Sequence, residues 1–282
     1  MQKLTVQEFK KITKIVYDLT GIYLSEDKIT LLSNRLRRRL RELKLATFAE
    51  YHTLLLDKKA LEQELPNFLS AVTTNETYFF RNEKLWSYLR DTWIPETVAR
   101  KKSKHLRVWS AASSSGEEAY TMAICLMEHK PSLTGWSLRV VGSDISQRVL
   151  EQARVGVYND YAVSKIAPAL KTKWFDKTEA GFRIKDELRK IVTFQFHNLR
   201  DSFAKGSYDF VFLRNVLMYF DTPMKIAVMK TVTDALSPGG HLFVGDVYPI
   251  RQTPKLHEAM TLERCGPNLY TKPTAAPVGV GG

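Results

Sequence analysis

From residue 5 to about 90, apolar positions recur every three or four residues. Phe9, Ile12, Ile15, Val16 and Leu19 form one face of a first predicted helix, which Gly21 ends. A second helix is predicted over roughly 27–43, with Leu32, Leu36, Leu40 and Leu43 as its stripe, a third over about 47–56 and a fourth over about 61–72. Residues 1–75 therefore read as a small all-helical domain. After the charged connector "ARKKSKH" the period changes. The short apolar runs "LRVWSAA", "SLRVVGSD", "IVTFQFHN", "YDFVFLRN" and "HLFVGD" read as strands, with helices in "EEAYTMAICLMEHK", "SQRVLEQAR" and "PMKIAVMKTVTDAL" and a turn at "SPGG". Nearly continuous apolar strands alternating with helices predict an α/β domain over 76–272, its sheet mostly parallel and covered on both faces. Residues about 155–190 interrupt the rhythm and read as a small insert with two or three short strands. Residues 273–282, rich in Pro, Ala and Gly, read as a flexible tail or linker.

With 282 residues and 44% apolar composition the chain can fill one large core or two ordinary ones. No apolar run approaches the length of about 18 residues that a membrane-spanning helix needs, and the first residues mix charge with apolar positions, so a cytoplasmic protein without direct membrane insertion is expected. Cys125 and Cys265 have no metal-ligand spacing and read as packing residues; the scattered histidines predict no metal site. The net charge of +12 changes the picture more, because it suits nucleic acid, an anionic membrane surface or an acidic protein. Part of it sits in "NRLRRRLRELK", where Arg35, Arg37, Arg38, Arg39 and Arg41 face a single Glu42.

Ligands of a doubly wound sheet bind outside the carboxyl ends of its strands. Three polar strand ends lie there. "SAASSSGEE" lets the backbone turn tightly into a helix that opens with Glu117 and Glu118, but it lacks the lysine of a P-loop and the spaced glycines of a dinucleotide loop. Two carboxylates there disfavour a pyrophosphate and attract an amine or a sulfonium. "VVGSDIS" ends in Asp144, placed to accept hydrogen bonds from both ribose hydroxyls of a nucleoside; capping of the next helix by Asp144 or Ser146 is the alternative. "YDFVFLRNVLMYFD" ends in Arg214 and Asn215, followed by Tyr219 and Asp221, and frames the ligand from the other side unless these are a surface ion pair and a core aromatic.

The segments "TNETYFFRN", "VWSAASSSGEEAY", "GSDIS…VLEQAR…GVY", "HNL" and "LRNVLMYFD", in that order behind a basic helical unit, resemble the CheR family of chemotaxis receptor glutamate O-methyltransferases over about residues 5–272. The resemblance implies a Rossmann-like class I methyltransferase sheet with a small β-subdomain insert, preceded by an all-α N-terminal domain. It also implies S-adenosylmethionine as cofactor and S-adenosylhomocysteine as product. Carried over residue by residue, Asn75, Thr77 and Arg81 lie over the cofactor, Glu117 faces its methionine part and Asp144 its ribose. Asn198 and Leu199 border the adenine, and Leu213 and Arg214 lie at the strand end beside the cofactor. Arg81 and Tyr219 are the catalytic candidates, aligning the substrate, while Phe79 and Phe80 anchor their segment. The chain departs from the family pattern at Ser115, Ala119, Asp246 and Val247.

The implied partner is the cytoplasmic helical bundle of a chemoreceptor, whose acidic methylation helices would dock on Arg35, Arg37, Arg38, Arg39 and Arg41; a solvated charged face is the competing account. The insert is short and holds only Gly181, so no tether to a receptor tail peptide is expected, and the protein is expected to be a monomer. A nucleic-acid methyltransferase is the rival enzyme, but "RNVLMYF" lacks the prolines of an amine-holding strand end and no RNA-binding aromatic sheet face is evident. A cofactor-binding signalling protein without turnover is the rival from another class.

Overall fold

A computed structural model describes residues 3–245, 256 and 260–274. The chain opens with α1 (Val6–Thr20), started by a capping box between Thr5 and Glu8 and ended by Gly21 at φ +75°. A 3-10 turn at Glu26–Lys28 leads into α2 (Ile29–Glu42). α3 (Phe48–Leu56) and α4 (Lys58–Val72) follow; α4 begins earlier than its apolar stripe suggests because the Asp57 side chain caps it through the amide of Ala60.

Next come α5 (Glu83–Tyr88), a π-helical stretch at Leu89–Trp93 and α6 (Ile94–Arg100). The sequence pattern did not anticipate the last two. The remaining elements are β1 (His105–Ala111), α7 (Glu117–Glu128), β2 (Ser137–Asp144), α8 (Gln147–Val155), β3 (Val157–Tyr158), α9 (Pro168–Trp174), β4 (Phe175–Thr178), β5 (Gly181–Ile184), α10 (Asp186–Arg189), β6 (Val192–Phe196), β7 (Tyr208–Leu213), α11 (Thr222–Ala235), β8 (Leu236–Val244), β9 (Glu263–Gly266) and β10 (Leu269–Thr271).

Among the described residues the main sheet runs β6-β2-β1-β7-β8-β10-β9. Its first five strands are parallel, as their apolar runs predict, and β10 and β9 add an antiparallel edge. That hairpin is a further difference from the sequence reading. So is "SPGG", which lies inside β8 and meets β7 through a register shift rather than forming a separate turn. The insert over 155–190 holds a small antiparallel sheet of order β3-β5-β4.

Strand alternation divides the core. Leu106 and Val108 of β1 and Phe210 and Phe212 of β7 pack toward α7, beside Trp86 and Trp93. Trp109, Ala111, Val211 and Leu213 point the other way, into a cluster that runs through α11 to Phe9, Ile12, Val16 and Leu36 of the helical part. One apolar cluster thus joins the helical domain to the sheet. Cys125 is buried in α7, whereas Cys265, expected to pack, is exposed in β9. Asp246, Val247 and the tail from 275 onward lie outside the described residues.

Candidate active site

The strand order reverses between β1 and β7, and a cavity of about 570 Å³ opens at the carboxyl ends of these strands. That volume is in the usual range for a small-molecule site. Its floor comes from the loops after β1, β2, β6 and β7, one side from residues 72–81, and its outer wall from Thr20–Ser25, Lys28, Leu31 and Arg35. The backbone around it is bent: Phe80, Asn82, Ala112, Ser114 and Asn215 all have positive φ. Such residues are uncommon outside glycine and mark segments held by their surroundings. At Gly116 (φ +93°) a Cβ would lie 2.8 Å from the ring of Phe194, so the turn into α7 requires glycine.

Asp144 ends β2 and is buried. Oδ2 accepts from the amide of Ser114 and Oδ1 from the amide of Ser146, each at 2.9 Å. Burial pushes its carboxyl up from the ordinary value while these amide bonds oppose the rise. Asn198 donates to the carbonyl of Leu19 at 2.8 Å, and Leu199 presents apolar surface beside it.

The segment 73–82 is tied at both ends. Phe79 and Phe80 are buried; the amide of Phe79 donates to Ala162 and that of Phe80 to Thr121 Oγ1. Asn75, Thr77 and Arg81 line the cavity. The carbonyl of Arg81 accepts from Trp86 Nε1 at 3.0 Å and from Arg214 Nη2 at 2.8 Å. The Arg81 guanidinium donates to the carbonyl of Glu76 and lies over the ring of Tyr78. Tyr219 lines the same cavity, and its carbonyl accepts from the amide of Tyr23 at 2.8 Å.

Glu117 and Glu118 part company. Glu117 turns inward, accepts from Ser115 Oγ and is pushed up to about 7 by burial; it does not line the cavity. Glu118 does line it, accepting from Ser110 Oγ at 2.7 Å and from Arg214 Nη1 at 2.9 Å. Leu213 is buried behind the wall, and Arg214 carries that strand end into it. Sequence reasoning named both carboxylates but carried only Glu117 to the cofactor, and it missed Ser113, His197 and the outer wall from the helical domain.

The five arginines of α2 also separate. Arg39 cannot dock a partner as first expected, because Nε and Nη2 form a bidentate pair with buried Glu64, which also accepts from Tyr51. Arg35 turns to the cavity and donates to the carbonyl of Val72 and to Thr74 Oγ1. Arg37 is half-buried and bonded to Asn34, so only Arg38 and Arg41 stand exposed.

The donor set suits a nucleoside. The buried Asp144 carboxyl lines the cavity, Ser113 Oγ, His197 Nε2 and Arg214 Nε are buried without hydrogen-bond partners on its wall, and Val72 and Leu199 supply an apolar surface. Burial also holds His197 below the ordinary histidine value, so its imidazole is neutral near pH 7.

Comparison with known proteins agrees. Residues 75–265 match the family model described as "CheR methyltransferase, SAM binding domain", and residues 7–73 match "CheR methyltransferase, all-alpha domain". The protein is therefore an S-adenosylmethionine-dependent methyltransferase. More narrowly, it belongs to the CheR methyltransferase family. Chemotaxis protein methyltransferase 2 of Pseudomonas aeruginosa is 39% identical over 249 residues, covering 86% of each chain. The chemotaxis protein methyltransferase of Vibrio parahaemolyticus is 32% identical over 272 residues, 94% of this chain and 96% of that one. A solved SAM-dependent methyltransferase from Methanosarcina mazei is 18% identical with a TM-score of 0.32, covering 52% of this chain and 55% of that one.

Proposed function

We propose that this protein methylates glutamate carboxylates on the cytoplasmic helices of chemoreceptors, giving methyl esters in chemosensory adaptation. The observation that carries the reading is the joint wall of the cavity: the helical domain and the sheet enclose one site, so a cofactor at the sheet edge meets its substrate beneath α2. The names of the relatives, chemotaxis protein methyltransferases, support a receptor as that substrate.

When bound, S-adenosylmethionine supplies a sulfonium methyl group that passes to a carboxylate oxygen. Asp144 would hold the ribose hydroxyls with lone pairs left after its two amide bonds. Asn198 and Leu199 would border the adenine, and Asn75, Thr77 and Glu118 would close over the amino-acid end. A glutamate with a pKa near 4.3 is ionised at neutral pH, so no general base is required. The task left to the protein is alignment and exclusion of water. Arg81 and Tyr219, both on the cavity wall, serve it: the Arg81 guanidinium already leans on Glu76 and Tyr78, so it orients a carboxylate without clamping it. The insert has no part in recruiting a receptor tail peptide.

The test is incubation with radiolabelled S-adenosylmethionine and chemoreceptor-bearing membranes, followed by mild alkali. Alkali-labile label on the receptor is the expected result. No label, with cofactor binding intact by calorimetry, would reject the glutamate reading.

A further inference from the structure

Beside the exposed polar side chains Lys28, Thr74 and Glu76, the mouth of the cavity carries a set of exposed apolar ones. Eight large apolar side chains are exposed among the described residues, and three of them, Tyr23 (58%), Leu31 (43%) and Met218 (48%), line this one cavity. They come from separate segments: the loop after α1, the first turns of α2 and the 3-10 turn Leu217–Tyr219. Such a concentration marks a contact surface, whereas scattered exposed apolar residues need no explanation. Along α2 the surface continues from Leu31 to Arg35 and Arg38, spaced four and then three residues apart and so on one stripe.

We infer that Tyr23, Leu31 and Met218 form a specificity rim for an α-helical protein segment that crosses the mouth along α2. The inference rests on the receptor-glutamate reading and deepens it. The main chain of the rim offers no strand edge, because Ile22 and Tyr23 are already paired in antiparallel fashion with Phe220 and Tyr219. Strand addition at Ile22 and Tyr23 would compete with this pairing, whereas a helix meets the rim through side chains. Three bulky groups around the opening admit a glutamate side chain only if its neighbours on that helix face are small or apolar. Acidic residues further along the same helix then meet Arg38, which is exposed, and Arg41. The rim thus selects the glutamates that sit among small residues, while the arginines select an acidic helix.

The experiment measures methyl transfer to receptor-bearing membranes over a range of receptor concentrations, using the full chain. The variants are Tyr23→Ser and the double variant Leu31→Gln with Met218→Gln, and Leu56→Ser serves as an exposed apolar residue distant from the cavity. The rim variants should raise KM for receptor about tenfold, with kcat and the Kd for S-adenosylmethionine changed less than about twofold. Leu56→Ser should match wild type. An unmoved KM in the rim variants, an equal rise in Leu56→Ser, or a parallel loss of cofactor affinity would overturn the rim. Wild-type protein that transfers no methyl to receptor would overturn the rim together with the reading beneath it, whereas failure of the rim alone leaves wild-type transfer intact.

Discussion

Arg214 fixes the main chain of Arg81: its Nη2 donates to the Arg81 carbonyl at 2.8 Å while Nη1 holds Glu118 at 2.9 Å. The side chains of Arg214 and Glu118 are only 6% and 12% exposed, so this is a buried ion pair. Arg214→Met should cost about 3–5 kcal/mol of stability, because Glu118 is left charged and unpaired. Adding Glu118→Leu should restore much of that stability in denaturant titrations. Methyl transfer should remain low in both variants, since Arg81 has lost its support.

Glu117 makes stability depend on pH. Burial raises its folded-state value to about 7 from an ordinary value of 4.5. A carboxyl raised on folding contributes stability that is complete below the unfolded value and is lost as pH climbs through the folded one. Relative to wild type, Glu117→Gln should therefore gain about 2 kcal/mol of stability as pH rises from 5.5 to 8.0. Denaturant midpoints of the two proteins that run parallel across this range would contradict the assignment.

The arginines of α2 should divide under mutation as they divide in space. Arg38→Glu with Arg41→Glu should change stability by less than about 0.5 kcal/mol. The same pair should slow receptor methylation about tenfold at low ionic strength, and the deficit should shrink as salt is raised. Arg39→Met should instead cost about 3–5 kcal/mol, since it leaves buried Glu64 unpaired. Unfolding curves and initial rates at several salt concentrations separate the two behaviours.

Gly21 sets the course of the chain beside Tyr219. At φ +75° an alanine is strained, and its Cβ would lie 2.7 Å from the sulfur of Met224. Gly21→Ala should cost about 1–2 kcal/mol. It should also lower kcat, because the loop that pairs with Tyr219 and Phe220 is displaced. A stability loss with kcat unchanged would show that this pairing does not position Tyr219.

The parallel strands were legible because Val108–Ala111 and Tyr208–Leu213 are buried on both faces and carry almost unbroken apolar runs. The position of Asp144 at the end of β2 was legible because the apolar run stops there. The β9–β10 hairpin was not, since β9 is almost wholly exposed and shows no apolar alternation. The stretch over 89–100 hid its helical turns because a π turn inserts a residue into the helical period and Pro95 follows. Glu117 and Glu118 could not be told apart from "GEE": successive helix residues differ by about 100° in direction, and only the packed helix shows which one faces the sheet edge. Arg39 looked like its neighbours because its partner Glu64 belongs to another helix.

The helical domain is pinned by Tyr17 to Asp221, Arg200 to Asp18 and Asn198 to Leu19, contacts that span 204, 182 and 179 positions of sequence. During synthesis the arginine helix emerges early and the strand leading to Arg214 late, so the two walls of the cavity meet only when most of the chain has left the ribosome. A chain interrupted before Tyr208 carries the basic helix and the acid-ended strand but neither Arg214 nor Tyr219. An incomplete copy therefore has the inner strand end and the basic helix without the wall that closes the cavity, and the enclosed site arises late, as a property of the finished chain.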